Sequence, residues 1–391
     1  MTMTLPAGFN AKRNLTHVLP SLAASLGAAL PNTLELPRAR SAILLLVDGL
    51  GLEQLEQYSA HAPFLRRVLQ HQTAAQTELS TIYPSTTAAA LSSLGTGLPP
   101  GEHGLVGYEV YDPDRDTVVN QLGGWDERTD PEAWQPTPTI FQQLNEQRLM
   151  GVHHIEPITV SLPAFENSAL TRAALQGPRF IGRDTLTERF NQAAYEAQHP
   201  GALIYLYVNE LDKVGHQHGP GSDEWLEVLE ELDAQARRLV RKLPAGTLAA
   251  VTGDHGMITV HEEDRIDFGH EEELVGHIAH TAGEPRLVQL HFQPNATEQQ
   301  RDQTIAAWRR RFGDQAWVVT RQQAVEAGWF GSVNGRVQPR IGDILVTGFA
   351  PIALYDSRRA APQSFAMVGH HGAPTPAEVR IPWLVLQTPE A

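Results

Sequence analysis

The chain has 391 residues, 41% of them hydrophobic, which suits one large domain with an insertion or two domains. Its 30 basic and 45 acidic side chains leave a net charge of −15, which argues against stable nucleic-acid binding and against docking to an anionic membrane. Cysteine is absent, so disulfides and thiolate zinc sites are excluded, and a bound metal must be held by Asp, Glu or the 17 histidines.

The N-terminal segment predicts no leader and no membrane anchor. It lacks a basic start followed by an unbroken apolar run, and Pro20 interrupts its best apolar stretch. No other window is apolar enough to span a bilayer. We therefore expect a cytoplasmic protein without a membrane partner, with a short helix over residues 19–30; the sequence leaves the oligomeric state open.

Residues 41–47 (SAILLLV) form a continuous apolar run that ends in Asp48-Gly49. Such a run is typical of a strand buried on both faces of a parallel sheet, and ligand-binding residues lie just past the carboxyl ends of such strands. Asp48 is therefore placed for chemistry. An aspartate before glycine is also an ordinary turn residue.

Residues 83–97 (YPSTTAAALSSLGTG) predict a turn that opens a helix with hydroxyl side chains at its first positions. Ser and Thr at such positions commonly cap the helix. The free amides of the first turn and the helix dipole also attract anions, so a hydroxyl there could face a bound phosphate. A threonine becomes a nucleophile only if a neighbouring group activates it, and this segment by itself leaves both interpretations open.

The next segment is rich in turns and aromatic residues. We interpret His103 as a hydrogen-bonded loop histidine rather than a ligand, and the alternation after residue 109 predicts a hairpin over the sheet edge. A helix over 139–147 and a strand within 150–161 follow. The aromatic side chains here either stack a base or pack, and packing is favoured; they are Tyr108, Tyr111 and Trp125.

The second half repeats the pattern of a buried strand followed by acidic and imidazole side chains. A strand over 202–208 leads to Asp212 and His216, an amphipathic helix spans 223–243, and a strand over 247–252 ends in Asp254-His255. Strand, helix and strand in this order form the unit of a parallel sheet, so the fold class is α/β.

The domain organisation is predicted from a change of character after residue 260. Residues 1–260 and 367–391 would form the core, and residues 261–366 a smaller α+β insertion. The insertion would hold a helix over 297–311 and strands over 317–320 and 343–346, and the core would resume with a final apolar segment over 381–386.

The polar side chains at the strand ends suggest a metal centre. They comprise three aspartates and three histidines: Asp48, Asp212, Asp254, His216, His255 and His371. Oxygen and imidazole donors without cysteine are typical of a pair of catalytic zinc or manganese ions. Each motif alone is an ordinary turn sequence, but their joint placement favours a metal site. Two divalent cations would outweigh the three aspartates by one charge, which would let an acidic protein bind a phosphate.

Five segments of the sequence resemble the signature blocks of the alkaline phosphatase superfamily, and most closely its nucleotide pyrophosphatase/phosphodiesterase branch. They are LLLVDG, YPSTTAAALSSLGTG, DKVGHQHGP, TGDHGM and GHHG, which span residues 42–372. The resemblance implies a three-layer sandwich with a mainly parallel central sheet flanked by helices. It also implies a hydrolase of phosphate esters, most closely a phosphodiesterase, that acts through a covalent phospho-threonine at a two-metal site.

The resemblance also assigns site residues. Thr87 matches the nucleophile, and is preferred to Thr86 because the family keeps a fixed interval to its TG pair, here Thr96-Gly97. One metal would be held by Asp212, His216 and His371. The other would be held by Asp48, Asp254 and His255 together with the Thr87 oxygen. His371 is preferred to His370 because the family's ligand directly precedes the glycine.

The chain departs from the family at one substrate-binding position. The diesterase branch has an asparagine that binds a phosphoryl oxygen, and gapless counting places Tyr108 there. A phenol also donates one hydrogen bond, but its reach differs, so the preference between diesters and monoesters stays open.

The resemblance implies two divalent ions, Zn²⁺ first and Mn²⁺ second, and a small-molecule phosphate ester as substrate, with a nucleotide among the candidates. Alternatives on the same fold are a phosphomonoesterase, a phosphonate hydrolase and a phosphomutase. The alternative outside enzymes is a protein that binds metal or an anion without turnover.

Overall fold

The computed structural model of the protein describes residues 13–390. Its strands, in chain order, are β1 (Ser41–Val47), β2 (Glu78–Ser80), β3 (Glu109–Asp112), β4 (Thr117–Asn120), β5 (Glu156–Ser161), β6 (Arg179–Gly182), β7 (Ala202–Val208), β8 (Thr247–Gly253), β9 (Ile258–Thr259), β10 (Arg265–Asp267), β11 (Ile278–Glu284), β12 (Leu287–Phe292), β13 (Ala316–Thr320), β14 (Ile344–Gly348), β15 (Ala353–Tyr355), β16 (Gly369–His370) and β17 (Arg380–Gln387). Its α-helices are α1 (Val18–Leu26), α2 (Leu52–Gln57), α3 (Pro63–His71), α4 (Ala74–Thr77), α5 (Thr87–Thr96), α6 (Pro100–His103), α7 (Pro131–Trp134), α8 (Ile140–Leu149), α9 (Ala169–Ala174), α10 (Leu186–Glu196), α11 (Glu210–His218), α12 (Asp223–Val240), α13 (Glu272–Val275), α14 (Glu298–Phe312), α15 (Arg321–Glu326) and α16 (Pro376–Val379). Residues 1–12, part of the segment in which no leader is expected, lie outside the described residues.

A seven-stranded sheet forms the centre of the molecule, in the order β2-β17-β8-β1-β7-β5-β6. The five strands from β8 to β6 are parallel, and β17 is antiparallel to its neighbours β8 and β2. The predicted α/β fold with a mainly parallel central sheet is therefore confirmed. No helix in the described part of the chain is long and apolar enough to cross a membrane.

All seven residues of β1 are buried because the strand lies between two hydrophobic cores. Ile43 and Leu45 pack into one core, and Leu44 and Leu46 pack into the other, because successive side chains of a strand point to opposite faces. Helices α3, α10 and α12 contribute to the first core, and α1, α5 and α8 to the second. Helices therefore cover both faces of the sheet, which gives the three predicted layers.

Several predicted elements exist but end elsewhere. The helix predicted over 19–30 is α1, which ends at Leu26 because Gly27 takes the left-handed conformation with φ 109°. The helix predicted over 223–243 is α12, which ends at Val240. The strand predicted within 150–161 is β5, which begins only at Glu156.

A second, antiparallel sheet of six strands has the order β13-β14-β12-β11-β3-β4. The predicted helix over 297–311 and strands over 317–320 and 343–346 correspond to α14, β13 and β14. The predicted hairpin is β3-β4, and it joins this sheet where Glu109 pairs with Gly283. The sheet thus takes strands from both sides of residue 260, and the proposed division of the chain at residues 261 and 366 stays a prediction.

A buried ion pair links the second sheet to the central sheet. Arg286, in the turn between β11 and β12, donates through Nε and Nη2 to the two carboxylate oxygens of Glu378 in α16, at 3.1 and 2.9 Å. Both side chains are fully buried. Glu378 also accepts the backbone N–H of Ala373, so the pair stabilises the loop that follows His371.

We predict that Arg286→Ala lowers the free energy of unfolding by about 3–5 kcal/mol, because Glu378 would remain as a buried carboxylate without its cation. Urea denaturation measures the loss. The control is Arg310→Ala, which removes an exposed ion pair with Glu273 and should change stability far less. Equal losses in the two variants would contradict the prediction.

Candidate active site

Three neighbouring strands deliver the acidic side chains of the candidate site. β1 lies between β7 and β8 and is parallel to both, so the carboxyl ends of the three strands meet at one edge. Asp48 directly follows β1 and Asp254 directly follows β8. Asp212 lies in the first turn of α11, just after β7, and His216 lies one turn later on the same helix.

Helix α5 brings Thr87 to this edge. Thr86 is the N-cap residue and its side chain makes no capping hydrogen bond. Thr87 is the first helical residue, and its buried Oγ1 lies 3.2 Å from Nε2 of His255 and 3.5 Å from Oδ1 of Asp48. The hydroxyl of Ser85 donates to the carbonyl of Ala373 at 2.9 Å. The Thr87 and Ser85 hydroxyls thus contact neighbouring loops, and Thr87 faces the predicted ligands.

The structure gathers the predicted ligands into two clusters. Asp48, Asp254 and His255 form the first, and Asp212, His216 and His371 form the second; within each cluster the ligand atoms lie within 4.8 Å of one another. The rings of His255 and His371 stack with centroids 3.5 Å apart, so the two clusters adjoin. All seven predicted site residues, Thr87 included, therefore meet at one place, whereas their roles as ligands stay predictions.

Backbone carbonyls hold the three histidines in place. Nδ1 of His216 donates to the carbonyl of Gly369 at 2.8 Å, and Nδ1 of His255 donates to the carbonyl of Gly256 at 2.9 Å. Nδ1 of His371 donates to the carbonyl of Ser85 at 2.8 Å. A proton fixed on Nδ1 leaves the lone pair of Nε2 free, and this arrangement is typical of metal-binding histidines. In each case Nε2 lies within 4 Å of an aspartate oxygen of its own cluster.

The buried aspartates lack compensating charge. Burial and their mutual repulsion raise the pKa of Asp48 well above its ordinary value, and burial raises the pKa of Asp254. Tyr207 donates a hydrogen bond to Asp48, but Oδ2 of Asp254 and Oδ1 of Asp212 have no hydrogen-bond partner within residues 13–390. Burial and the neighbouring histidines lower the pKa of His371, which keeps its imidazole neutral. Unpaired carboxylate oxygens beside the Nε2 atoms of three imidazoles fit two divalent cations.

Two cavities meet at Thr87. The larger, of about 440 Å³, extends from Thr87 and the second cluster to Tyr108 and Glu284. The smaller, of about 270 Å³, lies on the side of the first cluster and is lined by Asp48, Tyr207 and Asn209. Tyr108 thus lies in a wall of the site, although its role in substrate binding stays a prediction.

The other histidines and aromatic residues considered in the sequence have structural contacts. His103 is buried, with Nε2 3.0 Å from Oγ of Ser93, and His370 contacts the carbonyl of Met367 at 3.1 Å. Tyr111 packs on the rings of His280 and His291, and Trp125 packs on Trp134. The interpretation of His103 as a hydrogen-bonded histidine is confirmed.

Sequence reasoning missed Tyr207 and Glu284. Tyr207 lies inside the apolar run of β7, where an aromatic residue gives no functional signal. Glu284 is the last residue of β11. The sequence does not predict β11 or β12, because buried polar side chains interrupt the apolar pattern of both strands. Gln289 of β12, for example, donates to the carbonyl of Val106 and accepts the N–H of Gly342, and only the folded chain provides these partners.

Comparisons with known proteins place this site in a family. Residues 42–374 match the family described as type I phosphodiesterase / nucleotide pyrophosphatase. The chain is 24% identical over 196 residues to ectonucleotide pyrophosphatase/phosphodiesterase family member 1 of Rattus norvegicus, which covers 49% of this chain and 20% of that protein. It is 25% identical over 237 residues to venom phosphodiesterase 2 of Crotalus adamanteus, which covers 58% of this chain and 28% of that protein. The matches thus span less than a third of either relative.

Solved structures show the same fold. Murine ectonucleotide pyrophosphatase/phosphodiesterase 5, as an inactive variant in complex with AMP, aligns with a TM-score of 0.67 and 15% identity over 88% of this chain and 87% of that one. Phosphonoacetate hydrolase from Sinorhizobium meliloti, in complex with phosphonoacetate, aligns with a TM-score of 0.65 and 20% identity over 90% of this chain and 91% of that one.

We predict that the protein binds two Zn²⁺ per chain and that Asp254→Asn retains fewer, because an amide is a weaker ligand than the carboxylate it replaces. Dialysis followed by elemental analysis measures the metal content. His103→Gln, which changes a buried histidine outside both clusters, is the control and should keep both ions. Full occupancy in Asp254→Asn would exclude Asp254 as a ligand.

We predict that His103 makes stability depend on pH. Burial and the nearby Arg336 lower its pKa from 6.5 to about 3 in the folded protein. Between these values the unfolded chain binds a proton that the folded protein does not, so stability falls as pH decreases below about 6.5 and is unaffected by His103 at higher pH. The contribution is up to about 1.4 kcal/mol per pH unit.

Urea denaturation at pH 5 and pH 7 measures this effect. The loss of stability between the two values should be smaller in His103→Gln than in the wild type. His261→Gln, which replaces an exposed histidine, is the control. An unchanged difference in His103→Gln would contradict the prediction.

Proposed function

Because the chain belongs to the type I phosphodiesterase / nucleotide pyrophosphatase family, we propose that it hydrolyses phosphate diesters with Thr87 as the nucleophile. The position of Thr87 supports this proposal most directly. Its buried hydroxyl lies beside the first cluster of candidate ligands, 3.2 Å from Nε2 of His255 and 3.5 Å from Oδ1 of Asp48, and the second cluster adjoins the first where the rings of His255 and His371 stack. A capping threonine would instead bond to the amides of its own helix.

The proposed reaction consists of two displacements at phosphorus. In the first, the Thr87 oxygen bonds to phosphorus and the alcohol leaves; in the second, water bonds to phosphorus and the Thr87 oxygen leaves. Two divalent cations, held by the two clusters, would supply positive charge beside the attacking and leaving oxygens.

The chain's own groups would orient the phosphate. The first amides of α5 have no acceptor within the helix, so they are available to donate to phosphate oxygens beside Thr87. Donors fixed before the reaction stabilise charge that develops on these oxygens without further rearrangement.

The two cavities favour a diester as the substrate. A diester carries two substituents on phosphorus, and Thr87 lines two cavities. A monoester would leave one of these cavities without a substituent. Nucleotide diesters and pyrophosphates are the first compounds to test, given the family and the AMP complex of the murine protein.

The metal and the cellular location are further proposals. The three histidines and three aspartates suit Zn²⁺ first and Mn²⁺ second. The acidic composition suits a small-molecule substrate rather than a nucleic acid. The cytoplasmic location stays a prediction, which fractionation of the native cells would test.

We predict that Thr87→Ala lowers kcat by about 10³-fold or more, because it removes the attacking oxygen. Zinc-loaded protein is assayed on bis-p-nitrophenyl phosphate and p-nitrophenyl phosphate side by side, with melting temperature as the check on folding. Thr86→Ala is the matched control, since the Thr86 side chain makes no capping bond, and it should stay active.

The outcomes separate the alternatives. Faster hydrolysis of the diester supports a phosphodiesterase, and faster hydrolysis of the monoester indicates a phosphomonoesterase. An unchanged rate in Thr87→Ala would exclude Thr87 as the nucleophile. Bound metal without turnover of either ester would favour the phosphomutase, phosphonate hydrolase and binding-protein alternatives.

A further inference from the structure

We propose that Glu284 recognises a protonated amine on one substituent of the phosphate ester, an inference that rests on the proposed function. Glu284 is the last residue of β11 and lines the larger cavity at Thr87. The central sheet would then bind the phosphate of the substrate, and the second sheet would select its substituent.

The larger cavity connects Glu284 to the reaction centre. Thr87 and the second cluster line one side of it, whereas Glu284 and Tyr355 come from the second sheet and the segment beside it. A substituent of a phosphate held at Thr87 can therefore enter this cavity, of which Glu284 forms part of the wall. The volume of about 440 Å³ accommodates a small organic substituent.

The carboxyl group of Glu284 is buried and only half satisfied. The residue is 7% exposed, and its Oε2 accepts the backbone N–H of Tyr108 at 2.8 Å. Its Oε1 has no hydrogen-bond partner within residues 13–390. Gly372, with φ 128°, lets the loop after His371 approach, because a Cβ there would lie 2.9 Å from Oε1. A buried carboxylate oxygen without a donor costs stability unless a ligand supplies one.

Glu284 forms no ion pair among residues 13–390, whereas two neighbouring carboxylates each pair with an arginine. In the walls of the same cavity, Glu109 pairs with Arg359 at 3.1 Å and Asp356 pairs with Arg358 at 2.7 Å. Arg286, two residues after Glu284, is already bound to Glu378 and to backbone carbonyls. No ion pair in the described part of the chain includes Glu284.

The surroundings favour an ammonium group as the missing partner. Burial and the carboxylates of Glu378 and Glu109 raise the pKa of Glu284 to about 8, and a bound cation would reverse this shift. An ammonium group offers three donors in a compact shape, which suits a carboxylate oxygen without a donor. Glu284 belongs to neither cluster of candidate metal ligands, so a third metal ion is not supported.

The test compares two esters that differ only in this group, p-nitrophenyl 2-aminoethyl phosphate and p-nitrophenyl propyl phosphate. At pH 7 the wild type should show a kcat/KM about tenfold or more higher for the amine ester, as expected for one charged hydrogen bond. Glu284→Gln should bring the ratio of the two values close to one. Its amide oxygen still accepts the Tyr108 N–H, whereas its NH₂ group repels the ammonium. Glu273→Gln is the control, because it removes the same charge at an exposed position, and it should leave the ratio of the two kcat/KM values unchanged.

The outcomes distinguish this inference from the proposed function. Equal kcat/KM for the two esters in the wild type, or an unchanged preference in Glu284→Gln, would overturn the role of Glu284 and leave the hydrolase proposal intact. Equal losses for both esters in Glu284→Gln would also overturn it, because Glu284 would then act only on the loop that carries His371.

If the wild type hydrolyses neither ester, the proposed function fails and binding decides the inference. Titration calorimetry then measures both esters against zinc-loaded Thr87→Ala and against the same variant with Glu284→Gln. Tighter binding of the amine ester that disappears with Glu284→Gln supports the inference, and equal binding of the two esters overturns it.

Discussion

The repulsion among carboxylates at the ends of three parallel strands is the constraint on which the rest of this structure depends. Asp48 and Asp254 are almost completely buried, and Asp212 lies beside them at the end of β7. Tyr207 and a few backbone amides satisfy only some of their oxygens, and the unsatisfied oxygens fit the proposed divalent cations. The repulsion arises because the parallel sheet brings all three carboxylates to one edge.

Thr87 and the candidate ligands are positioned together through shared backbone contacts. Ser85, two residues before Thr87, accepts a hydrogen bond from the ring of His371 and exchanges two more with Gly372 and Ala373. A shift of the loop that carries His371 would therefore move the start of α5. The buried pair of Arg286 and Glu378 stabilises the same loop from the second sheet. Chemistry at Thr87 thus depends on contacts from both sheets.

The two sheets contribute different parts of the candidate site. The ends of the central strands and the loops beside them supply the two clusters of candidate metal ligands. The second sheet and its hairpin supply the remaining walls, with Tyr108 and Glu284 joined by a backbone hydrogen bond.

The sequence by itself determined the α/β class, five of the seven central strands and the candidate acidic and imidazole side chains at their ends, whereas the choice of Thr87 over Thr86 and of His371 over His370 came from the family resemblance. Each of these depends on local features: a buried strand is a run of apolar residues, and its ligand follows within a few positions, as Asp48 follows β1. Only the tertiary structure decided which hydroxyl faces the clusters, where β11 and β12 lie, and which residues line the cavities. Glu284 and Tyr207 gain their significance from partners far away in the chain, such as Tyr108 and Asp48. Hydrogen bonds and charges that cross between elements leave no periodicity in the sequence, because they depend on where the folded chain places each group.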